Sequence, residues 1–79
     1  MGEYELNVKS VSGQAFKVIF TNKTTVAELK RDIAPRVNVQ EAELSIVYQG
    51  KQLMDDNKRV MDYDIEDKAT VHLVFRLRG

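Results

Sequence analysis

Thr70-Val71-His72-Leu73-Val74-Phe75-Arg76-Leu77-Arg78-Gly79 is the stretch from which the rest of the chain can be worked out. Val71, Leu73 and Phe75 share one parity and Thr70, His72, Val74 and Arg76 the other, the period-2 signature of a strand buried on one side. Alternation this regular predicts a central strand. Arg76-Leu77-Arg78-Gly79 carries no apolar repeat, so residues 76–79 are expected to leave the sheet as a flexible tail.

Upstream, Leu44-Ser45-Ile46-Val47-Tyr48-Gln49-Gly50 predicts another strand, with Leu44 and Ile46 inward and Val47 outward. Gly50-Lys51 predicts a turn, and Gln52-Leu53 the start of a very short strand. Residues 54–68 read as polar and irregular, anchored by Val60, Tyr63 and Ile65. At the other end, Tyr4, Leu6 and Val8 alternate with Glu5, Asn7 and Lys9, and Phe16, Val18 and Phe20 alternate with Lys17, Ile19 and Thr21. The link Val11-Ser12-Gly13-Gln14 is short, and Gly13 can supply a positive φ, so the two strands form an antiparallel hairpin. Ile19 is apolar on the outward parity and reads as ordinary surface.

Between the strand pairs, Thr25-Val26-Ala27-Glu28 fits a capping box, in which hydroxyl and carboxylate reciprocally satisfy free backbone N–H groups. Val26, Leu29, Ile33 and Val37 recur at helical spacing and form the stripe that covers the sheet. Pro35 removes a backbone donor and clashes with the Arg31 carbonyl, so the regular helix is expected to end or kink near Ala34, with an irregular last turn still bringing Val37 to the core. The order strand, strand, helix, strand, short strand, strand gives a single two-layer α+β domain over residues 1–79.

The 79 residues include 12 basic and 12 acidic side chains, so no net field attracts nucleic acid or anionic lipid. With 43% apolar and 30% charged residues the chain reads as globular. No cysteine is present, which excludes disulfides, thiolate metal sites and a cysteine nucleophile. One histidine and no phosphate-cradling glycine loop argue against an enzyme, and no cofactor is implied. No membrane helix or leader is expected, and Leu6 stands where myristoylation wants Ser or Thr.

Val8-Lys9, Gly13, Thr25-Val26, Lys30, Ile33, Gly50-Lys51-Gln52-Leu53, Asp62-Tyr63, Ile65, Thr70, His72-Leu73-Val74 and Arg76-Leu77-Arg78-Gly79 stand in the order and spacing of ubiquitin, with one extra residue between Leu53 and Asp62. The chain resembles the ubiquitin and ubiquitin-like modifier family from Tyr4 to Gly79. A looser likeness, confined to Met1-Gly2, is to the interferon-induced modifier built of two ubiquitin-like domains. The resemblance implies the β-grasp fold, a mixed sheet of about five strands with one helix packed across it.

The resemblance also implies function. Gly79 would be the conjugated end, with Arg76, Leu77 and Arg78 contacting activating enzymes and deconjugating proteases; guanidinium forks suit acidic grooves. Mature family members end in two glycines, whereas this chain stops after one. The outward residues Val47, His72 and Val74, with Val11 in the hairpin turn, match the family's apolar recognition patch, rimmed here by Lys9, Lys51 and Arg76. Lys51, Lys9 and Lys30 match chain-forming lysines, while Asp67 replaces another. Asp62-Tyr63-Asp64-Ile65-Glu66-Asp67 begins like a calcium loop, but Asp67 and Leu73 stand where that loop needs Gly and Glu, so no metal site is expected.

The implied partners are activating, conjugating and ligase enzymes, deconjugating proteases and ubiquitin-binding domains, with no nucleic acid and no membrane. The chain is expected to be a monomer in cytoplasm and nucleus. The first reading is a covalently attached modifier. The alternatives are a non-conjugated docking domain of a larger protein, or a reshaped ubiquitin variant that binds one enzyme.

Overall fold

A computed structural model describes residues 2–76. Five strands form one sheet: β1 Tyr4–Ser10, β2 Ala15–Phe20, β3 Leu44–Tyr48, β4 Lys51–Gln52 and β5 Ala69–Phe75. Their order is β2-β1-β5-β3-β4, so the last strand in sequence is the central one in space. It pairs parallel with β1 and antiparallel with β3, while β1–β2 and β3–β4 are hairpins. The sheet is mixed, and one helix, α1 Val26–Ile33, packs across it.

The core lies between helix and sheet. Leu6, Val8, Val18, Phe20, Leu44, Ile46, Val71 and Leu73 from the sheet meet Val26, Leu29 and Ile33 from the helix, all fully or nearly fully buried. Phe75 and Phe16 are half-buried at the rim. Each buried Leu, Ile or Phe contributes about 1.5–3 kcal/mol relative to exposure, and in so small a domain that term dominates.

The capping box forms as expected. Thr25 Oγ1 accepts the Glu28 N–H at 3.1 Å, and Glu28 Oε1 accepts the Thr25 N–H at 2.9 Å. The helix ends at Ile33 and one 3₁₀ turn, Ala34–Arg36, carries Pro35 and brings Val37 into the core.

Three details depart from the sequence reading. The hairpin between β3 and β4 turns at Gln49-Gly50, with φ of 50° and 81°, so Lys51 already belongs to β4 and Leu53 lies beyond it. Two left-handed central residues match the right-handed twist of the strands, which a turn at Gly50-Lys51 would not. The stretch 54–68 is irregular as read, but it contains a 3₁₀ turn at Val60–Tyr63 and it also caps the helix. The Lys58 and Asp56 carbonyls accept the N–H groups of Val26 and Ala27 at 2.9 and 3.1 Å, the first two free donors of the helix. Finally, Arg76 is still tied to the sheet edge: its N–H donates to the Glu43 carbonyl at 2.7 Å. Arg76, the first residue of the expected tail, is thus bonded to the chain just before β3; Leu77, Arg78 and Gly79 lie outside the described residues.

Candidate functional site

The face of the sheet opposite the helix is built by outward parity on each strand. His72 sits between two direct neighbours, Lys9 across the parallel ladder and Val47 across the antiparallel one. At about 4.8 Å between strands, Lys9–His72–Val47 forms a row about 10 Å long. Val74 follows two residues along β5, opposite Ser45, and is 44% exposed. Val11 leaves β1 at the level of Val74, because Ser10 pairs with Leu73, and it is 78% exposed. Val47 is half-buried, while Lys9, His72 and Arg76 are exposed. Val11, Val47, His72, Val74 and Lys9 thus come together on one surface.

Lys51 does not join them by register. It pairs with Tyr48, whose parity is that of Leu44 and Ile46, and it borders a small recess with Gln49, Leu53, Tyr63 and Asp64. Gln52 takes the corresponding place on the patch face, opposite Val47. Its amide Nε2 donates to Ser45 Oγ at 3.1 Å, and Ser45 is only 6% exposed despite its outward parity. Sequence reasoning missed both, since only the one-residue position of the turn reveals which β4 residue faces Val47. Ile19 lies on the same face but opposite Glu5, two strands and half a strand length from His72.

The patch is apolar with a cationic rim. Among the described residues the ion pairs are Lys17–Glu5, Lys30–Asp56 and Arg36–Asp32, so none engages the rim residues Lys9 and Arg76, nor Lys51 at its separate recess. The lysines differ in availability. Lys9 and Lys51 are exposed, whereas the Lys30 side chain is 15% exposed and held 2.8 Å from Asp56. Asp67 has structural work: its carboxylate accepts the Glu5 N–H at 2.8 Å, while the neighbouring Lys68 N–H donates to the Glu5 carbonyl at 2.7 Å. Asp62 likewise accepts the Arg59 N–H at 3.0 Å. Part of the acidic run therefore caps backbone donors. Gly79, Leu77 and Arg78, expected at the enzyme-contacting end, lie outside the described residues.

A sequence profile described as the ubiquitin family matches residues 6–78. The chain belongs to the ubiquitin family. Within that family it is 32% identical over 74 residues to ubiquitin-like protein 4A of Danio rerio, across 94% of this chain and 46% of that protein. It is 31% identical over 71 residues to human ubiquitin-like protein 4B, across 90% of this chain and 40% of that protein. The chain therefore spans less than half the length of these relatives. The solution structure of a ubiquitin-like domain from an Arabidopsis thaliana protein superposes with a TM-score of 0.90 at 23% identity, over 99% of this chain and 82% of that one. At that identity the likeness establishes the fold: this is the ubiquitin-like β-grasp.

Proposed function

We propose that the chain is a ubiquitin-like recognition domain whose partner, an amphipathic helix, docks on the Val47–His72–Val74 face. The observation that carries this reading is the row Lys9–His72–Val47 beside exposed Val74 and Val11. Apolar side chains cluster there on the central strands of the sheet, and among the described residues no ion pair engages Lys9 or Arg76 beside them. Helix docking is favoured because the apolar side chains lie on three adjacent elements of one sheet face, and a helix offers apolar anchors at i, i+3, i+4 and i+7 to such a surface. Lys9 and Arg76 would meet acidic residues flanking those anchors. Relatives more than twice as long as this chain support a role as one module within a larger protein. No catalysis is part of this reading.

The test is an NMR titration with a ubiquitin-binding helical peptide. Amide shifts should concentrate at Lys9, Val47, His72 and Val74, and Val47→Ala with His72→Asp should abolish them while leaving the fold intact. Shifts centred on the helix α1 or on residues 61–67 would refute the assignment.

The motif Arg76-Leu77-Arg78-Gly79 favours a second reading, covalent attachment through Gly79 with Lys9 and Lys51 as further acceptors. Incubation with a ubiquitin-activating enzyme and ATP tests it, using the chain as given and a version with one added glycine. A reducible thioester with the extended version would establish a modifier. No adduct from either version leaves the docking domain.

A further inference from the structure

The chain has no net charge, yet its charges are sorted between two ends, and parallel pairing of β1 with β5 does the sorting. Parallel strands put their starts together and their ends together. At the starts stand Glu3 and the run Asp62, Asp64, Glu66 and Asp67, with Lys68 next to Asp67 in the chain and with Arg59 and Lys58 at the Asp62–Tyr63 side, where the Arg59 N–H donates to Asp62 and Lys58 lies over the Tyr63 ring; Glu5 is paired with Lys17. At the ends stand Lys9, His72 and Arg76. Among the described residues Glu43, whose carbonyl accepts the Arg76 N–H, brings a carboxylate to this end, and that carboxylate is turned back to accept the Gln40 N–H at 3.0 Å. The two ends are about 20 Å apart, the length of β5.

Both ends also expose apolar surface. At the acidic end a concavity of about 650 Å³ is lined by Tyr4, Met61, Asp64, Ile65, Glu66 and Asp67. Its apolar lining is half-buried Tyr4 and Met61 with Ile65, only 2% exposed, beneath them, and none of its carboxylates is in an ion pair among the described residues. At the basic end Val74 and Val11 protrude beside Arg76. The surfaces are complementary in charge and both are apolar at the centre, but one molecule cannot join them because they are a strand length apart.

We infer that copies of this chain associate head to tail, with Val74, Val11 and Arg76 of one copy seated against the Tyr4–Met61–Ile65 concavity of the next. The guanidinium of Arg76 faces Asp64 and Glu66 of the neighbour. Such a contact is heterologous and does not close on itself, so it builds open chains rather than a dimer. The interface is small and partly electrostatic, which sets its dissociation constant on the order of 1 mM at low salt. It uses the Val74 edge of the proposed helix-docking face, but it stands whether or not a helix binds there.

The test is sedimentation equilibrium together with NMR dilution of the whole chain between about 0.05 and 2 mM. The average mass should rise with concentration, and shifts should move together at Tyr4, Met61 and Ile65 and at His72 and Val74. About 0.5 M NaCl should suppress both effects, since it shrinks the screening length to a few ångströms. Asp64→Asn with Glu66→Gln removes one pole and Arg76→Gln the other; each variant alone should stay monomeric. Mixed together they should form heterodimers and nothing larger, because each retains one intact and different pole. A monomer at 2 mM in low salt, unchanged association of either variant, or failure of the mixture to pair would overturn the inference.

Discussion

Leu73 and Val74 are adjacent on the central strand, and the fold assigns them opposite jobs. Leu73 is fully buried between β1 and β3, opposite Ser10 and Ile46, and Val74 is 44% exposed on the outer face. Leu73→Ala removes side-chain atoms from a site hemmed in by two ladders, so the backbone cannot collapse onto the void. The cost should be about 3 kcal/mol, transfer and cavity terms together. A chain of this size has roughly 4–12 kcal/mol of stability, so the loss is a large fraction. With a urea dependence of about 1 kcal/mol/M, the unfolding midpoint should fall by about 3 M at unchanged slope. Val74→Ala removes half-solvated methyl groups and should cost less than about 1 kcal/mol. In the helix titration the order inverts: Val74→Ala weakens binding severalfold, while Leu73→Ala, measured where it is still folded, leaves it within about twofold. Equal midpoint losses for the two variants would refute the assignment of faces on β5.

Thr25→Ala should cost about 1 kcal/mol in denaturant unfolding by opening the capping box. Glu28 makes that box pH-dependent: the Thr25 backbone N–H, then its hydroxyl, hold the Glu28 carboxyl below its ordinary value of 4.5. A depressed carboxyl stabilises fully above that ordinary value and loses its contribution as pH falls through the lower folded-state one. The stability gap between the parent and Glu28→Gln should therefore close in that acid window, and a gap constant down to the most acidic folded condition would contradict the cap. Asp56→Asn strands the nearly buried Lys30 ammonium and should cost about 1–2 kcal/mol, less than a fully buried pair because Asp56 is half open to water. Mass mapping after limited lysine acylation should then find Lys30 slower than Lys9 in the parent and accelerated in Asp56→Asn. Asp67→Ala frees the Glu5 N–H and should cost about 1 kcal/mol, with faster hydrogen exchange at Glu5 as its local signature.

Much of the fold was legible because the relevant physics is local. Alternation on residues 4–8, 16–20, 44–47 and 71–75 gave each strand its inner face, the Thr25–Glu28 pair marked the start of the helix, and Pro35 marked its end. The outward parity of Val47, His72 and Val74 was equally local. Their meeting on one surface was not: it depends on β5 lying between β1 and β3, which the residues alone suggested only through resemblance to a family. The same limit explains why Gln52, and not Lys51, is the β4 residue opposite Val47. A one-residue difference in the turn transfers a side chain from one face to the other, and Gln49 carries no strong turn preference to announce its positive φ.

By itself, then, the sequence determined the inner apolar stripe of each strand and of the helix, where the helix begins and ends, and which side chains take the outward parity, since each follows from a period, a cap or a proline within a few positions. Tertiary structure alone decided what those side chains face. Long-range pairing set Lys9 beside His72, brought the carbonyls of Asp56 and Lys58 to the free N–H groups of the helix, and tied Asp67 to the start of β1. It also gathered acid at one end of the β1–β5 pair and base at the other. Those relations join residues tens of positions apart, and only closing the sheet brings them within hydrogen-bond or van der Waals distance.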